Sequence, residues 1–308
     1  MTAPIRIALV GIGKIVRTQH VPALAASDAF ELVATASPRS TLDGVPAFKS
    51  LEELLESGPE IDAVSLCQPP QARFADALVA IEAGKHVMLE KPPTDTLSEA
   101  EEIARLTARS DATVFATWHS RFSPAVEPAR AWLAGKTLRR MRIEWKEDVR
   151  VWHPGQKWIW EAGGFGVFDP GINALSIASA VLPDPLFLQQ ARLAFPSNCQ
   201  TPIAADLAFT SGGKPVEAVF DFLQTGPQTW SIWIETEEGG LELSKGGAEL
   251  AIDGVDQPLP PEAEYPGLYA RFAELIASGT SDVDLTPLRL VGDAFLRGER
   301  VEAPPFVE

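Results

Sequence analysis

Residues 5–119 alternate short apolar runs with amphipathic segments, and the first run ends on Gly11-Ile12-Gly13. No other feature of the chain restricts its fold as strongly. Ile5–Val10 (IRIALV) reads as a strand buried on both faces, because its apolar residues are continuous rather than alternating. Further strands are expected at Leu32–Ser37, Ala63–Cys67, His86–Glu90 and Thr113–Thr117. Between them Ser50–Leu55, Arg73–Ala83 and Thr96–Arg109 carry helical periodicity, and Thr96 with Glu99 has the spacing of a capping box. Strands joined through helices imply right-handed crossovers, and these build a doubly wound parallel sheet.

Beyond about Ser120 the texture changes. A helix is expected at Ala125–Leu133, then a half-exposed strand within Leu138–Asp148, where Met141, Ile143 and Trp145 alternate with Arg142, Glu144 and Lys146. Asp169–Leu182 reads as a helix. Strand-like runs follow at 186–195, 204–210, 215–223, 229–237, 240–244 and 248–252, separated by Gly, Pro and Asn turns. Consecutive strands without helices between them imply one antiparallel or mixed sheet. Helices near Tyr265–Ile276 and Thr286–Leu296 close the chain. At 308 residues there is room for two cores. The boundary falls at about residue 122, giving domains 1–122 and 123–308, with the last helix able to pack back on the first.

Several classes of function are disfavoured by composition. A net charge of −16 opposes binding to nucleic acid or to an anionic membrane. No apolar run approaches the ~20 residues that span a bilayer, and the N-terminus lacks the pattern of a signal peptide. Cys67 and Cys199 are far apart and read as reduced buried thiols of a cytoplasmic protein. The four histidines form no zinc spacing with them, so no metal is expected; a GxSxG elbow and a GxxxxGK[ST] loop are both absent.

The glycine turn gives the first chemical lead. Gly11 permits a tight turn after the strand, and Gly13 lets backbone N–H groups approach a pyrophosphate at the positive end of the following helix. A bare GxG also fits any sharp strand–helix turn, and Val16 stands where a third glycine is usual. Its position at residue 11 of a βαβ array favours a Rossmann dinucleotide site. At the end of the second strand, where an acid would accept from the ribose 2′-hydroxyl, the chain has Ser37-Pro38-Arg39. Serine and arginine suit a 2′-phosphate, which points to NADP, with NAD or dual use as the alternative. Cys67-Gln68-Pro69 and Glu90-Lys91 follow the third and fourth strands, at the carboxyl edge where open sheets bind ligands; each also fits an ordinary surface turn.

The second lead is the tract from Trp145 to Asn173. It holds four of the eight tryptophans together with Glu147, Asp148, His153, Asp169 and Asn173. Flat rings can cover the C–H face of a sugar while ionisable groups and an amide read its hydroxyls. Glu147 and Asp148 are adjacent on a strand and point to opposite faces, so one of them at most enters a pocket. Trp152 and His153 sit in the loop beyond. Asp169 and Asn173 are four apart and share a helix face. Two readings of Asp169 stand side by side, because Pro170 behind it suits a first helical position and would make Asp169 an N-cap instead of a proton acceptor. His119, after the fifth strand, lines a cleft or closes the strand end.

Taken together, Gly11-Ile12-Gly13-Lys14-Ile15, Glu90-Lys91-Pro92 and Gly163–Asn173 resemble the Gfo/Idh/MocA family of nicotinamide-dependent sugar oxidoreductases. ATWHSR (116–121), WKEDVR (145–150), WHPGQ (152–156) and GVFDPGINALSI (166–177) are similar to its members that oxidise L-arabinose or D-galactose at C1. The resemblance runs over essentially the whole chain. It implies an α/β fold, with an N-terminal Rossmann sheet and a C-terminal α/β domain whose open, mostly antiparallel sheet mediates a homodimer. It implies oxidation of the C1 hydroxyl of an aldopyranose, D-galactose or L-arabinose, to the lactone, with hydride passing to NAD or NADP. It also implies that Lys91 and Asp169 are the catalytic pair, that His119, Glu147, Trp152, His153 and Asn173 surround the sugar, and that the Lys91–Pro92 bond is cis. The dinucleotide would touch Gly11, Gly13, Lys14, Ile15, Ser37, Arg39, Cys67, Gln68, Pro69, Glu90 and Lys91. Much of the family has histidine where this chain has Asn173, so acid–base duty shifts onto Asp169. An aldose–aldose oxidoreductase, a polyol reductase and a non-catalytic sugar sensor are the alternatives.

Overall fold

The structure, a computed structural model, describes residues 3–308. Strands β1 (Ile5–Val10), β2 (Phe30–Ala36), β3 (Ala47–Phe48), β4 (Ala63–Leu66), β5 (His86–Leu89) and β6 (Val114–Ala116) form a six-stranded sheet in the order β3-β2-β1-β4-β5-β6. All five pairings are parallel. The order reverses on either side of β1, so the carboxyl ends of β1 and β4 flank a topological switch point, where such sheets bind ligands. Helices α1 (Val21–Ala25), α2 (Leu51–Ser57), α3 (Arg73–Glu82) and α4 (Leu97–Thr107) make the crossovers. Ser50 and Thr96 cap α2 and α4 by accepting from the amides of Glu53 and Glu99, which places those helix starts where the sequence pattern does. Ala8, Val10, Val64, Leu66, Val87 and Leu89 are wholly buried or nearly so, as strands covered on both faces require.

Later residues build the second sheet. After α5 (Val126–Leu133) come β7 (Leu138–Lys146), the single turn α6 (Val149–Trp152) and the long helix α7 (Phe168–Val181). Strands β8 (Leu186–Pro196), β9 (Ala204–Ser211), β10 (Lys214–Asp221), β11 (Thr229–Thr236), β12 (Gly239–Ser244), β13 (Glu249–Ile252) and β14 (Val255–Asp256) follow. The chain ends with α8 (Glu264–Ser278), α9 (Thr286–Arg297) and β15 (Glu299–Ala303). The nine strands run β14-β13-β12-β11-β7-β10-β9-β8-β15, mostly antiparallel, with β7–β10 and β8–β15 parallel. Burial alternates along β7 and β8, so one face of this sheet is in the core and the other carries polar residues.

Two compact units result: one ends at His119 and takes back Glu264–Leu285, and the other holds Ser120–Ala263 and Thr286–Glu308. The penultimate helix, α8, thus belongs to the first unit, while the last helix belongs to the second. The apolar face of α8 explains this. Tyr269 and Phe272 pack on Phe30 of β2 with ring centroids 5.4 and 5.8 Å apart, and Asp282 pairs with β6 through Ala116 N–H and Val114 C=O. Amphipathic periodicity marks α8 as a helix but says nothing of which sheet it covers.

Candidate active site

In the first unit, β1 delivers the chain into a turn at Gly11, whose φ is +84°. A Cβ there would lie 2.6 Å from the backbone nitrogen of Gln68, so the approach of the segment after β4 demands glycine. Gly13 is the opposite case: a Cβ at that position would meet nothing within 4 Å. The space in front of it is open and exposed, at the start of a helix whose amides are available, which fits a pyrophosphate. Lys14 and Ile15 are exposed on the same first turn. Val16, in the place of a third glycine, is fully buried, and from Val16 to His20 the helix widens into a π-turn before α1 resumes. Such one-turn distortions recur at functional sites. At the end of β2, Ser37 is half-buried and Arg39 exposed. Arg17, which the sequence pattern did not single out, donates from Nη2 to the Thr41 carbonyl at 2.7 Å and ties that loop to the helix.

The segments after β4 and β5 are held by buried charge. Pro69 leads into a short 3₁₀ turn, and Gln68 engages Asp76 through its amide. The Cys67 thiol faces inward, 3.4 Å from Ser65 Oγ and 3.6 Å from His20 Nε2. Glu90 is buried as well: Oε1 accepts from Tyr265 Oη at 2.7 Å and lies 3.0 Å from His20 Nε2, while Oε2 accepts from the Lys91 amide at 2.9 Å. Burial alone would raise the Glu90 pKa, but the hydrogen bond and charge of His20, with the charges of His119 and Arg73, hold it well below the carboxylate range. Lys91 is half-buried, and its bond to Pro92 is cis. His119 Nδ1 meets Glu264 Oε2 at 2.8 Å, and its ring stacks on Tyr265 at 5.6 Å. Burial pulls the His119 pKa down; Glu264, by charge and hydrogen bond, outweighs it and leaves the imidazole above its usual 6.5.

The second unit gathers the other set. Glu147, just past β7, is almost fully buried, and its carboxylate accepts from Trp230 Nε1 at 2.8 Å and His153 Nε2 at 2.9 Å. Asp148 faces the other way and pairs with Arg150 at 2.8 Å. With Nε2–H committed to Glu147, the Nδ1 edge of His153 is turned toward Asp169, whose Oδ2 lies 3.6 Å away. Asp169 is 5 % exposed. The cap position of α7 is Val167, so Asp169 lies inside the first turn, where the helix dipole favours a carboxylate. Asn173, half-buried, is one turn further along the same face. Trp152 is 40 % exposed, with its ring 4.7 Å from that of Trp230, which in turn stacks on Trp145. Trp160 packs against Phe222 and Phe306 and is structural. Gly164 and Gly166 admit close backbone neighbours: a Cβ at either would come within 2.3 Å of a carbonyl oxygen, of Trp158 or Pro202 respectively. Among the described residues, no three His, Cys, Asp or Glu side chains are placed to share a metal ion.

A model of an oxidoreductase family with the NAD-binding Rossmann fold, GFO_IDH_MocA, matches residues 5–117. The chain is also 50% identical over 306 residues to galactose 1-dehydrogenase of Pseudomonas fluorescens, covering 99% of each protein. It belongs to the Gfo/Idh/MocA family. The crystal structure of a D-galactose-1-dehydrogenase from Rhizobium etli superposes with a TM-score of 0.96 at 54% identity, covering 100% of this chain and 99% of that one. A 3-ketoreductase from Actinomadura kijaniata, solved with NADP and TDP-benzene, shares the fold with a TM-score of 0.85 at 19% identity over 98% of this chain and all of the other. Membership of the Gfo/Idh/MocA family accounts for the glycine turn and the Glu90-Lys91-Pro92 segment together, since both sit at the carboxyl edge of one nucleotide-binding sheet. Several participants in this family member escape sequence reading. His20, Arg73, Trp230, Glu264 and Tyr265 take part in the buried contacts, yet each stands in an ordinary helical or strand pattern.

Proposed function

We propose that this protein is a sugar 1-dehydrogenase that oxidises the C1 hydroxyl of D-galactopyranose to the lactone, using NAD or NADP. The observation that carries the reading is likeness to two galactose 1-dehydrogenases over the whole chain, at 50% and 54% identity, which includes the unit holding Asp169 as well as the nucleotide-binding one. When bound, the nicotinamide supplies the acceptor for the hydride that leaves C1. This chain's own groups handle the proton and the orientation. Asp169 takes the proton of the C1 hydroxyl as the C1–H bond breaks and the C1=O bond forms. His153, its ring fixed by Glu147, turns its Nδ1 edge toward Asp169 and helps to place the imidazole beside that carboxylate. Lys91 donates a hydrogen bond to the reacting oxygen, and Trp152 covers the apolar face of the ring. Asn173 reads the orientation of a hydroxyl, being unable to relay a proton itself. Gly11, Gly13, Lys14 and Ile15 receive the pyrophosphate, with Ser37 and Arg39 at the adenine ribose and Cys67, Gln68 and Pro69 along the nicotinamide half.

We further propose a cytoplasmic homodimer formed through the solvent-facing side of the nine-stranded sheet, where Phe187 is 61% exposed beside Gln189 and Arg192. Among the described residues no helix is long and apolar enough to cross a membrane. The test of the reaction is direct: purified protein is incubated with NAD+ or NADP+ and a panel of aldoses, and reduced nicotinamide and lactone are followed. D-galactose is expected to turn over, with L-arabinose as a second substrate because it has the same ring stereochemistry and lacks only the C5 substituent. Nucleotide binding without reduction by any aldose would favour a sensor. Arg39→Ala is expected to weaken NADP+ more than NAD+; an unchanged preference would remove the 2′-phosphate assignment.

A further inference from the structure

Lys91 carries its side chain on a backbone that is pinned on every side. Its amide donates to Glu90 Oε2 at 2.9 Å. The carbonyls of Glu90 and Pro92, before and after it, both accept from Arg73 Nη1. Arg73 is itself 4 % exposed and donates from Nε to the Gln68 carbonyl at 2.7 Å. The Glu90 carboxylate is fixed in turn by His20 and Tyr265, and His20 by Tyr269 Oη at 2.8 Å on its other ring nitrogen. His20 is fully buried, packed edge-on against both tyrosines.

An ion pair at this depth is a poor way to gain stability. Desolvating two charges commonly offsets their attraction, and apolar replacements of similar volume are often as stable or more so. What the pair does provide is geometry. A carboxylate kept ionised and aimed by two donors is the strong acceptor that a single backbone N–H needs if it is to be held in one place. His20 stands on the π-turn of the helix that opens at Gly13, so the segment facing the pyrophosphate also fixes the turn at Lys91.

We propose that His20 is a positioning residue for Lys91: paired with Glu90, and with Arg73 and Tyr265, it forms a buried cradle that orders the Lys91 backbone. The inference rests on the reading of Lys91 as a group that touches the substrate, but the order of its backbone can be measured without any sugar.

The test uses the full-length protein in three forms, His20→Leu, Tyr265→Phe and His20→Leu/Glu90→Leu, with two readouts. The first is hydrogen exchange at the Lys91 amide against amides of β1 and β4. With one of the donors that aim the Glu90 carboxylate removed, the Lys91 amide bond to Oε2 is expected to weaken, speeding Lys91 exchange by up to about tenfold in His20→Leu with the strand amides unchanged. The second is steady-state kinetics. Misplacement of a reacting group by ~1 Å can lower rate about a hundredfold, so kcat is expected to fall by that order. The double variant is expected to recover the wild-type melting temperature but not kcat, a split that a purely structural role would not give. Should His20→Leu fail to fold, Tyr265→Phe removes one donor from Glu90 with the ring retained, and the same two readouts apply. Lys91 exchange that matches wild type in a folded variant, or a double variant restored in both melting temperature and kcat, would overturn the proposal. If the wild-type protein turned over no aldose, the proposed reaction would fail, and the exchange readout would still decide the cradle.

Discussion

Replacing Asp169 by asparagine separates the two roles this residue could play. The side chain keeps its shape and loses its charge and its ability to take a proton. In the structure Asp169 is the second residue of α7, two beyond the cap at Val167, and is 5 % exposed. The stabilising term lost is the interaction of the carboxylate with the helix start, about 0.3–1 kcal/mol and at most ~2 where partly buried. Relief from burying a charge works in the opposite direction. The net change therefore stays within about 2 kcal/mol, and at about 2–4 °C of Tm per kcal/mol for a unit of this size the variant remains folded. Loss of a general base lowers rate about 10²–10⁴-fold, equivalent to roughly 2.7–5.5 kcal/mol of barrier. Thermal unfolding and the initial rate of nicotinamide reduction with D-galactose measure the two effects separately. A variant that melted within a few degrees of wild type and kept kcat within about threefold would refute the assignment, since loss of a general base is worth at least about 10²-fold.

Three further outcomes are expected. Gly11→Ala places a Cβ 2.6 Å from the Gln68 nitrogen at a φ of +84°, where an L-residue is disfavoured by about 1–2 kcal/mol; fluorescence titration should show dinucleotide affinity weakened more than about tenfold. Glu147→Leu removes the acceptor of both His153 Nε2 and Trp230 Nε1, each bond to a charged acceptor contributing about 1.5–3 kcal/mol, so the urea midpoint falls along with kcat. The His119–Glu264 pair makes stability depend on pH. Because the folded pKa of His119 is raised above 6.5, the stability it contributes is complete below 6.5 and declines as pH rises through the folded value. Glu264→Gln should flatten that decline in a series of melting curves, and an unaltered slope would remove His119 as its source.

The sequence was informative wherever a side chain's role is set by its own neighbours along the chain. Apolar runs buried on both faces located β1, β4 and β5 to within a residue, and the Thr96 capping box located the start of α4. The candidate site divides on the same line. Glu147 and His153 are six residues apart and could be associated by inspection, and their contact is local to the end of one strand. Trp230, which completes that contact, comes from β11, paired with β7 in a register that no local pattern encodes. His20 looked like any residue of a helix, because the π-turn that accompanies its burial has no composition signal. By pattern Glu90 stands at a strand end, open to a ligand; the three partners of its carboxylate come from an early helix, the next residue and α8. The Asp169 ambiguity turned on where α7 begins, a boundary that sequence locates only to within a residue or two.

The return of α8 to the first unit sets the order in which this protein can be made. Chains are synthesised from the N-terminus, and domains generally fold as units as they emerge. Here the nucleotide-binding unit reaches the ribosome exit first and is finished almost last. Until residues 264–285 appear, His20 and Glu90 lack the tyrosines that share their charge, Phe30 lacks the rings that cover it, and β6 has an open edge where Asp282 will pair. An unpaired edge is a template for other chains. During synthesis the six-stranded sheet must therefore wait, through the whole of β7–β14, with its outer strand uncovered. A fragment cut after residue 122 would inherit that condition permanently, and would be expected to self-associate through the β6 edge that Asp282 covers in the full chain.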